Sequence, residues 1–488
     1  MDSSPRSPSW AAYVDPDATP PYGIALPTAR KAAEPFAAAA GNASLLGVGY
    51  FLLGRVVLGV TALLGSLLLL VLHLTAWPTL WFSFVVVGWW GLGVVHGYLL
   101  ARTHPRARPA TRQWVVALAA ALPVLLAFGL LRFDAAGIGQ DVAAGRADGD
   151  CAAALAATDR LWFGNRLADV PLAERADDTV AACDRLRTAG EELDTGLAGD
   201  TGALADGFAR LDGVLTDLPG HEEMVRSTVR RFVDGLPTDD PCRTTAVTDW
   251  LTDEKPGGVL RAASDVVPGV APAAIVACAD GFMTASDWQR GRTYYQQLLD
   301  EYPDHELAAK AQQGVVKATR AIELANVRSL LTTTGDAQPA YCSTPAPYSG
   351  AKPYVPGKPN RSLVYGNAAH TGKIPAGWRA KDAADAVVVI CAGETEYGAA
   401  VATCPYEADT IAGYVDVTFR KIAIPLKLFE VRTGKLVAQF TLQINGASCP
   451  AVLKYTSYSY VDFGPPSEVY VTASVNDVRA AFRPLLVP

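Results

Sequence analysis

The chain has 488 residues, about three ordinary domains' worth; half are hydrophobic and only 19% are charged. That is too apolar for a disordered chain or a plain soluble enzyme. The net charge is −7, and a nucleic-acid-binding protein needs a basic face, so nucleic acid is not an expected partner.

Residues 1–44 carry seven prolines among small polar residues and read as a disordered cytoplasmic tail. Within it only residues 28–40 have a pattern for a short interfacial helix. A membrane domain is expected over residues 45–133. Its three apolar stretches, 45–74, 77–101 and 113–133, each supply the ~20 residues that cross a bilayer core. The spans are placed at residues 50–74, 78–101 and 113–133, so the lipid bilayer is the first partner. Trp77, Trp81 and Trp114 fall near span ends, where indoles favour the interface. Trp89 and Trp90 lie mid-span and are expected to pack on a neighbouring helix. Gly88, Gly91, Gly93 and Gly97 permit close helix approach, within the chain or in a homo-oligomer. Arg55, a lone charge in the first stretch, is expected to snorkel to the cytoplasmic interface.

Orientation follows from the loop at 102–112. It holds Arg102, Arg106, Arg108 and Arg112 and no acid, so the positive-inside rule places it in the cytoplasm. The amino terminus is then cytoplasmic, and residues 134–488 are outside. All eight cysteines follow Phe133, as an oxidising compartment would produce. Residues 1–133 hold nine Lys/Arg and four Asp/Glu; residues 134–488 hold 33 and 45. The outer region is acidic. Arginine outnumbers lysine by 30 to 12, which together with the short loops suggests a bacterial plasma membrane. Glycine, tyrosine and phenylalanine at Gly47, Gly49, Tyr50, Phe51 and Gly54, followed by Arg55, resemble the opening of the two-span "TM2" hairpin modules; the resemblance implies no chemistry.

Residues 134–149, rich in Gly, Ala and Asp, read as a tether. Residues 150–334 read as an all-α repeat domain, because apolar residues recur at three and four and Pro or Gly marks the breaks. Asp150, Asp200, Asp240 and Asp287 recur every 40–50 residues, each placed to cap a helix with its carboxylate. Over residues 279–318, Ala279, Phe282, Trp288, Gly291, Tyr294, Leu298, Pro303, Leu307, Ala308, Ala311 and Val315 give the small, aromatic, aliphatic and proline positions of a helix pair. This stretch resembles the tetratricopeptide repeat. The resemblance implies stacked antiparallel helix pairs with a concave binding surface. Gly291 departs from it, since alanine is usual there. Cys151 and Cys242 each follow a capping Asp, and Cys183 and Cys278 fall in the next helix. This predicts bridges Cys151–Cys183 and Cys242–Cys278.

Residues 335–488 turn to β-branched residues, tyrosine, proline and glycine. They read as a mostly antiparallel, sandwich-like β-domain. Strands are expected at residues 386–391, 399–404, 413–424, 425–431, 436–444 and 468–474, with a tight turn at 432–435 closing a hairpin. Asn476 and Asp477 are expected to cap a last helix ended by Pro484. Cys391 and Cys404 flank a Gly-containing turn and are expected to pair, which leaves Cys342 with Cys449.

No nucleophile elbow, zinc-protease helix, phosphate loop or dinucleotide fingerprint occurs, and no cofactor or metal ligand set is expected. His221 and His305 fall at helix turns. His370, in a Gly/Asn loop, and the carboxylates of Glu394 and Glu396 make the one candidate catalytic group. The expected function is a non-catalytic, membrane-anchored extracytoplasmic binding or scaffold protein for a protein or peptide in the cell envelope. The alternatives are an envelope hydrolase or transferase with its site in the β-domain, and a transmembrane sensor.

Overall fold

The structure is a computed structural model that describes residues 34–75, 80–103, 111–333, 337–408, 411–456 and 464–487. The tail to residue 33, Trp77, Arg106 and Arg108 lie outside the described residues. The chain divides into two compact units, residues 1–192 with 205–230, and residues 193–204 with 231–488.

The first unit opens with α1 (Pro35–Asn42) and α2 (Val48–Leu52), then α3 (Val56–Thr75), α4 (Leu80–Arg102) and α5 (Thr111–Asp148). Residues 34–44 are therefore not part of a disordered tail. Ala37 and Ala38 of α1 are fully buried, Phe36 sits edge-on to Tyr98 of α4 at 5.3 Å, and Glu34 N donates to Gln113 Oε1 of α5 at 3.1 Å. A run of small residues lets α1 lie this close. The first apolar stretch is two helices, not one span from residue 50. Gly47 and Gly54 take positive φ of 66° and 72°, a backbone that only glycine adopts without strain, and they isolate α2. Arg55 follows the break, at the foot of α3.

The tether expected at 134–149 is instead the second half of α5. That helix has 38 residues, roughly 57 Å at 1.5 Å per residue, far more than the ~30 Å of a bilayer core. Ala135, Ile138, Val142 and Gly145 are spaced to share one face. The first three join Ala157, Leu161, Leu172 and Ala176 in a buried cluster. A Cβ at Gly145 would lie 2.7 Å from Ala154 N, so glycine is what lets the next helix approach. Glycine and alanine here serve close packing rather than flexibility.

The helices that follow are α6 (Cys151–Thr158), α7 (Phe163–Ala168), α8 (Val170–Leu197), α9 (Thr201–Asp217) and α10 (Glu222–Asp234). In the second unit, α11 (Pro241–Glu254), α12 (Ala262–Asp265), α13 (Val267–Thr284), α14 (Trp288–Glu301) and α15 (Ala308–Leu331) follow. The four aspartates cap as their spacing implies. Asp150 accepts from Ala153 N, Asp200 from Gly202 N, Asp240 from Cys242 N and Asp287 from Arg290 N, at 2.8–3.2 Å. Cys151 is joined to Cys183 and Cys242 to Cys278.

Gly291 has a structural reason. A Cβ there would meet Met283 Sδ of α13 at 3.0 Å and Ala279 O at 3.4 Å, so the α13–α14 approach is tight. Gly314 of α15 faces the Tyr295 ring of α14 closely enough that a Cβ would overlap it.

Among the described residues, the terminal region forms one mixed six-stranded sheet, not a sandwich. Its strands are β1 (Ser362–Tyr365), β2 (Val388–Ala392), β3 (Glu396–Ala408), β4 (Ile411–Glu430), β5 (Leu436–Ile444) and β6 (Glu468–Tyr470). A single-turn helix, α16 (Ala368–Thr371), follows β1. The two strands expected at 413–424 and 425–431 are one long β4, which continues through Pro425. It pairs β3 and β2 in succession and also β5 and β6. β1–β2 and β4–β6 are parallel. Helices cover the sheet where a second sheet was expected. Val388, Ile390 and Ala392 turn to one face, with Phe482 and Val478 of α17 (Val475–Leu486). Val389 and Cys391 turn to the other, with Val327 and Leu331 of α15 and with Tyr341. The period-two alternation of a strand buried on both faces makes this possible. α17 starts two residues earlier than a cap at Asn476 implied, because Ser474 and Asp477 form a capping box. It runs through Pro484 to Leu486.

The remaining bridges are Cys342–Cys391 and Cys404–Cys449, which overturns the expected Cys391–Cys404 and Cys342–Cys449. Cys391 lies opposite Lys427 and Cys404 opposite Val417 on β4. β2 and β3 thus lie end to end beside β4 rather than paired. Ten positions along a strand is roughly 33 Å, far beyond the reach of a disulfide.

Candidate functional site

The catalytic group expected from sequence is only partly assembled. Asn367 Nδ2 donates to Gly393 O at 2.9 Å and to Thr395 Oγ1 at 3.1 Å, which brings the His370 loop beside the loop of Glu394 and Glu396. His370 Nδ1 bonds Asn367 Oδ1 at 2.8 Å. Burial, then the Lys373 charge, holds the imidazole below its usual range, so it is neutral at pH 7. The side chains of Glu394 and Glu396 are exposed, and neither bonds His370 among the described residues. The other two histidines have packing and turn contacts. His221 is 2% exposed, with Nδ1 on Leu218 O at 2.8 Å and Nε2 on Thr179 Oγ1 at 3.3 Å. His305 Nδ1 accepts from Leu307 N.

Two surface features stand apart from these ionisable groups. The first is the free edge of β5. Its sequence LVAQFTLQI has no charge and no proline, and among the described residues it pairs only with β4. Leu436 and Phe440 are exposed. The edge of β3, by contrast, is blunted by register shifts after Tyr397 and Ala400 and by Pro405, the devices that stop an edge from pairing further. A cavity of about 220 Å³ crosses the sheet from Ser362 to Ala438 and Phe440, beside Tyr354, Pro484 and Leu485. The second feature lies where α5 leaves its apolar half. Arg132 Nη1 donates to Ala168 O at 2.7 Å and pairs with Asp169 at 3.1 Å. Asn165 Nδ2 donates to Asp134 at 2.8 Å. Beside these contacts Phe133, Trp162 and Phe163 are exposed, an arrangement of aromatics and polar groups suited to a membrane interface.

A further polar group lies among the apolar helices of the first unit, and no reading of the sequence singled it out. A cavity of about 350 Å³ is lined by α1 and α2 (Asn42, Tyr50), α3 (Thr61, Ser66) and α4 (Trp89, Trp90, Gly93, His96). Tyr50 Oη lies 2.9 Å from His96 Nδ1 and 3.4 Å from Gly93 O. Asn42 Nδ2 donates to Gly93 O at 3.0 Å. Trp89 Nε1 donates to Ser66 Oγ and Trp90 Nε1 to Ala43 O, both at 3.1 Å. A signal was available: His96 is an ionisable residue in the second apolar stretch, and such residues are placed in lipid for function by default. The glycines of that stretch divide. A Cβ at Gly97 would overlap the Asn42 amide, whereas at Gly88, Gly91 or Gly93 it would meet nothing within 4 Å. Gly97 thus seats α1, and the other three leave their surface open.

One half-buried carboxylate gives a pH-dependent stability. Asp249 of α11 accepts from Gln297 Nε2 of α14 at 2.8 Å, and burial pushes its carboxyl up from 3.8 to about 6. The folded state therefore holds this proton more tightly than the unfolded state. Its stabilising effect is complete below pH 3.8 and is lost as pH rises through about 6. Asp249→Asn keeps an acceptor for Gln297 and removes the charge. It is expected to add about 1 kcal/mol at pH 7.5, after discounting for partial exposure, and nothing at pH 4. Melting curves of both proteins across that range check it; a gain equal at both ends would exclude titration of Asp249 as the cause.

No family model, no curated protein and no solved structure matches this chain.

Proposed function

We propose that this is a membrane-anchored extracytoplasmic binding protein, in which β5 accepts an extended segment of an envelope protein as an added strand. The observation that carries it is the contrast between the two long edges. An uncharged nine-residue edge without proline, regular from Ala438 to Ile444 after one register shift at its start, is a template for another chain. Main-chain bonds along it supply affinity, and a neighbouring cavity of mixed polarity, lined by Lys358, Asn360 and Ser362 as well as Val388 and Leu428, supplies selectivity for a side chain.

In this reading α3, α4 and the first half of α5 are the three spans. Arg102 and Arg112 are cytoplasmic, and everything from Asp134 is outside. Four helical segments are long and apolar enough to cross a membrane, the fourth at Gly258–Thr284. The fourth is assigned to the outer fold, because half of it is buried within the protein, against 11–17% for the others, and Cys278 ties it to α11. The stacked α11 to α15, read as tetratricopeptide-like repeats, carry the sheet, and the four disulfides fit an oxidising compartment. The hydrolase alternative requires His370 and the two glutamates to converge on a shared pocket; their geometry offers an acceptor-bonded imidazole beside two solvated carboxylates.

The test uses the full chain in lipid nanodiscs, panned against displayed random linear peptides. Enriched sequences rich in β-branched residues, whose binding weakens at least tenfold in Phe440→Asp, are the expected result. No enrichment over empty nanodiscs, or enrichment indifferent to Phe440→Asp, sinks the reading.

A further inference from the structure

The cavity between α3 and α4 has a lining that an apolar gap does not need. It contains Asn42, Tyr50, Thr61, Ser66 and His96, and no Asp, Glu, Lys or Arg. In a hydrocarbon environment an unsatisfied polar group costs several kcal/mol, yet two groups here are unsatisfied. Asn42 is 5% exposed, and its Oδ1 has no hydrogen-bond partner. His96 uses Nδ1 toward Tyr50, while Nε2 bonds no described residue. The open Nε2 of His96 points to a ligand with a polar atom of its own, while Asn42 Oδ1 packs against Gly49.

The Tyr50–His96 pair also specifies the chemistry. The Tyr50 hydroxyl has one proton. When it donates to His96 Nδ1, the ring proton sits on Nε2, and the site offers a free N–H donor. When it donates to Gly93 O, Nδ1–H donates to the hydroxyl and Nε2 becomes an acceptor. The same two side chains thus bind a carbonyl in one arrangement and a hydroxyl in the other, with no net charge in either. Trp89 and Trp90 have committed their N–H groups to Ser66 and Ala43, so they offer apolar ring surface rather than donors. A phospholipid headgroup is a poor match, since no cation lines the cavity to meet its phosphate. The volume of about 350 Å³ is at the small end of ligand sites, roughly 300–1,000 Å³, enough for a ring but not for a long tail. Leu92, 65% exposed, lies at the lipid side, where a tail would leave.

We infer that this cavity binds a membrane quinone or its quinol, with His96 and Tyr50 on a ring oxygen and the indoles against the ring. The inference needs only that α3 and α4 lie in lipid, and it is independent of any partner at β5.

The experiment is equilibrium binding to the full chain in phosphatidylcholine nanodiscs. The probes are decylubiquinone, its reduced form, and decylbenzene as the oxygen-free control. Both quinone forms are expected to bind saturably, one per chain, with decylbenzene at least tenfold weaker. His96→Phe and Tyr50→Phe are each expected to weaken quinone binding about tenfold, the value of one hydrogen bond. The double variant is expected to lose little more than either, because the pair acts as a unit. Gly93→Leu is the variant that leaves packing alone: Gly93 lines the cavity and a Cβ there meets nothing, so the added bulk is expected to abolish binding with an unchanged melting temperature. Decylbenzene binding as tightly as the quinone, or Gly93→Leu binding undiminished, overturns the inference.

Discussion

Replacing Cys242 and Cys278 together by serine is expected to lower the stability of the second unit by about 3–4 kcal/mol. The bridge closes a 36-residue separation, and the chain-entropy account gives that range for loops of this size. The same change at Cys404 and Cys449, 45 residues apart, is expected to cost about 4 kcal/mol. Urea titrations of the detergent-solubilised full chain measure both. The pairing is tested separately by non-reducing peptide maps. They should yield Cys342 linked to Cys391 and Cys404 linked to Cys449. A Cys391–Cys404 peptide would contradict the register of β2 and β3 along β4, because those two strands would have to lie side by side. Loss of both linkages without loss of stability would mean that the second unit does not depend on its disulfides.

The second large effect is expected from Phe482→Ala, at 3–5 kcal/mol. Phe482 is fully buried on the sheet face formed by Val388, Ile390, Leu426 and Leu428. The residues around it are held by the β2–β4–β5 ladders and cannot collapse into the space it leaves. Phe440→Ala, on the same side of the molecule but 38% exposed, is the control and is expected to cost under about 1 kcal/mol. Both are read from the midpoint of the cooperative unfolding transition. A small loss at Phe482, comparable to that at Phe440, would show that α17 is an appendage and not the cover of this face.

The legible parts of the sequence were those whose signal is local. Apolar length marked α3, α4 and the start of α5. The aspartates marked four helix starts, because an N-cap acts within three residues of itself. Turn chemistry at 432–435 marked the β4–β5 hairpin. Composition misled where one residue type has two physical uses: glycine and alanine at 134–149 suggested a tether, but along one helical stripe they permit close packing. Prolines suggested that disorder continued to residue 44, whereas Pro35 occupies the first turn of α1, where its missing N–H costs nothing. Cys391 and Cys404 are thirteen positions apart in sequence and looked like neighbours across a turn. Only the length of β4, which takes β3 and then β2 along one side, separates them.

By itself, then, the amino-acid order determined the apolar segments, the capped helices and the confinement of every cysteine to the residues after Phe133. Each of these depends on residues within one or two turns of chain. The tertiary structure alone decided the partners of the last four cysteines, the covering of a single sheet by α15 and α17, and the meeting of Asn42, Tyr50 and His96. Those three residues span more than fifty positions, and no periodicity along the chain encodes a contact made when α1 folds back on α4.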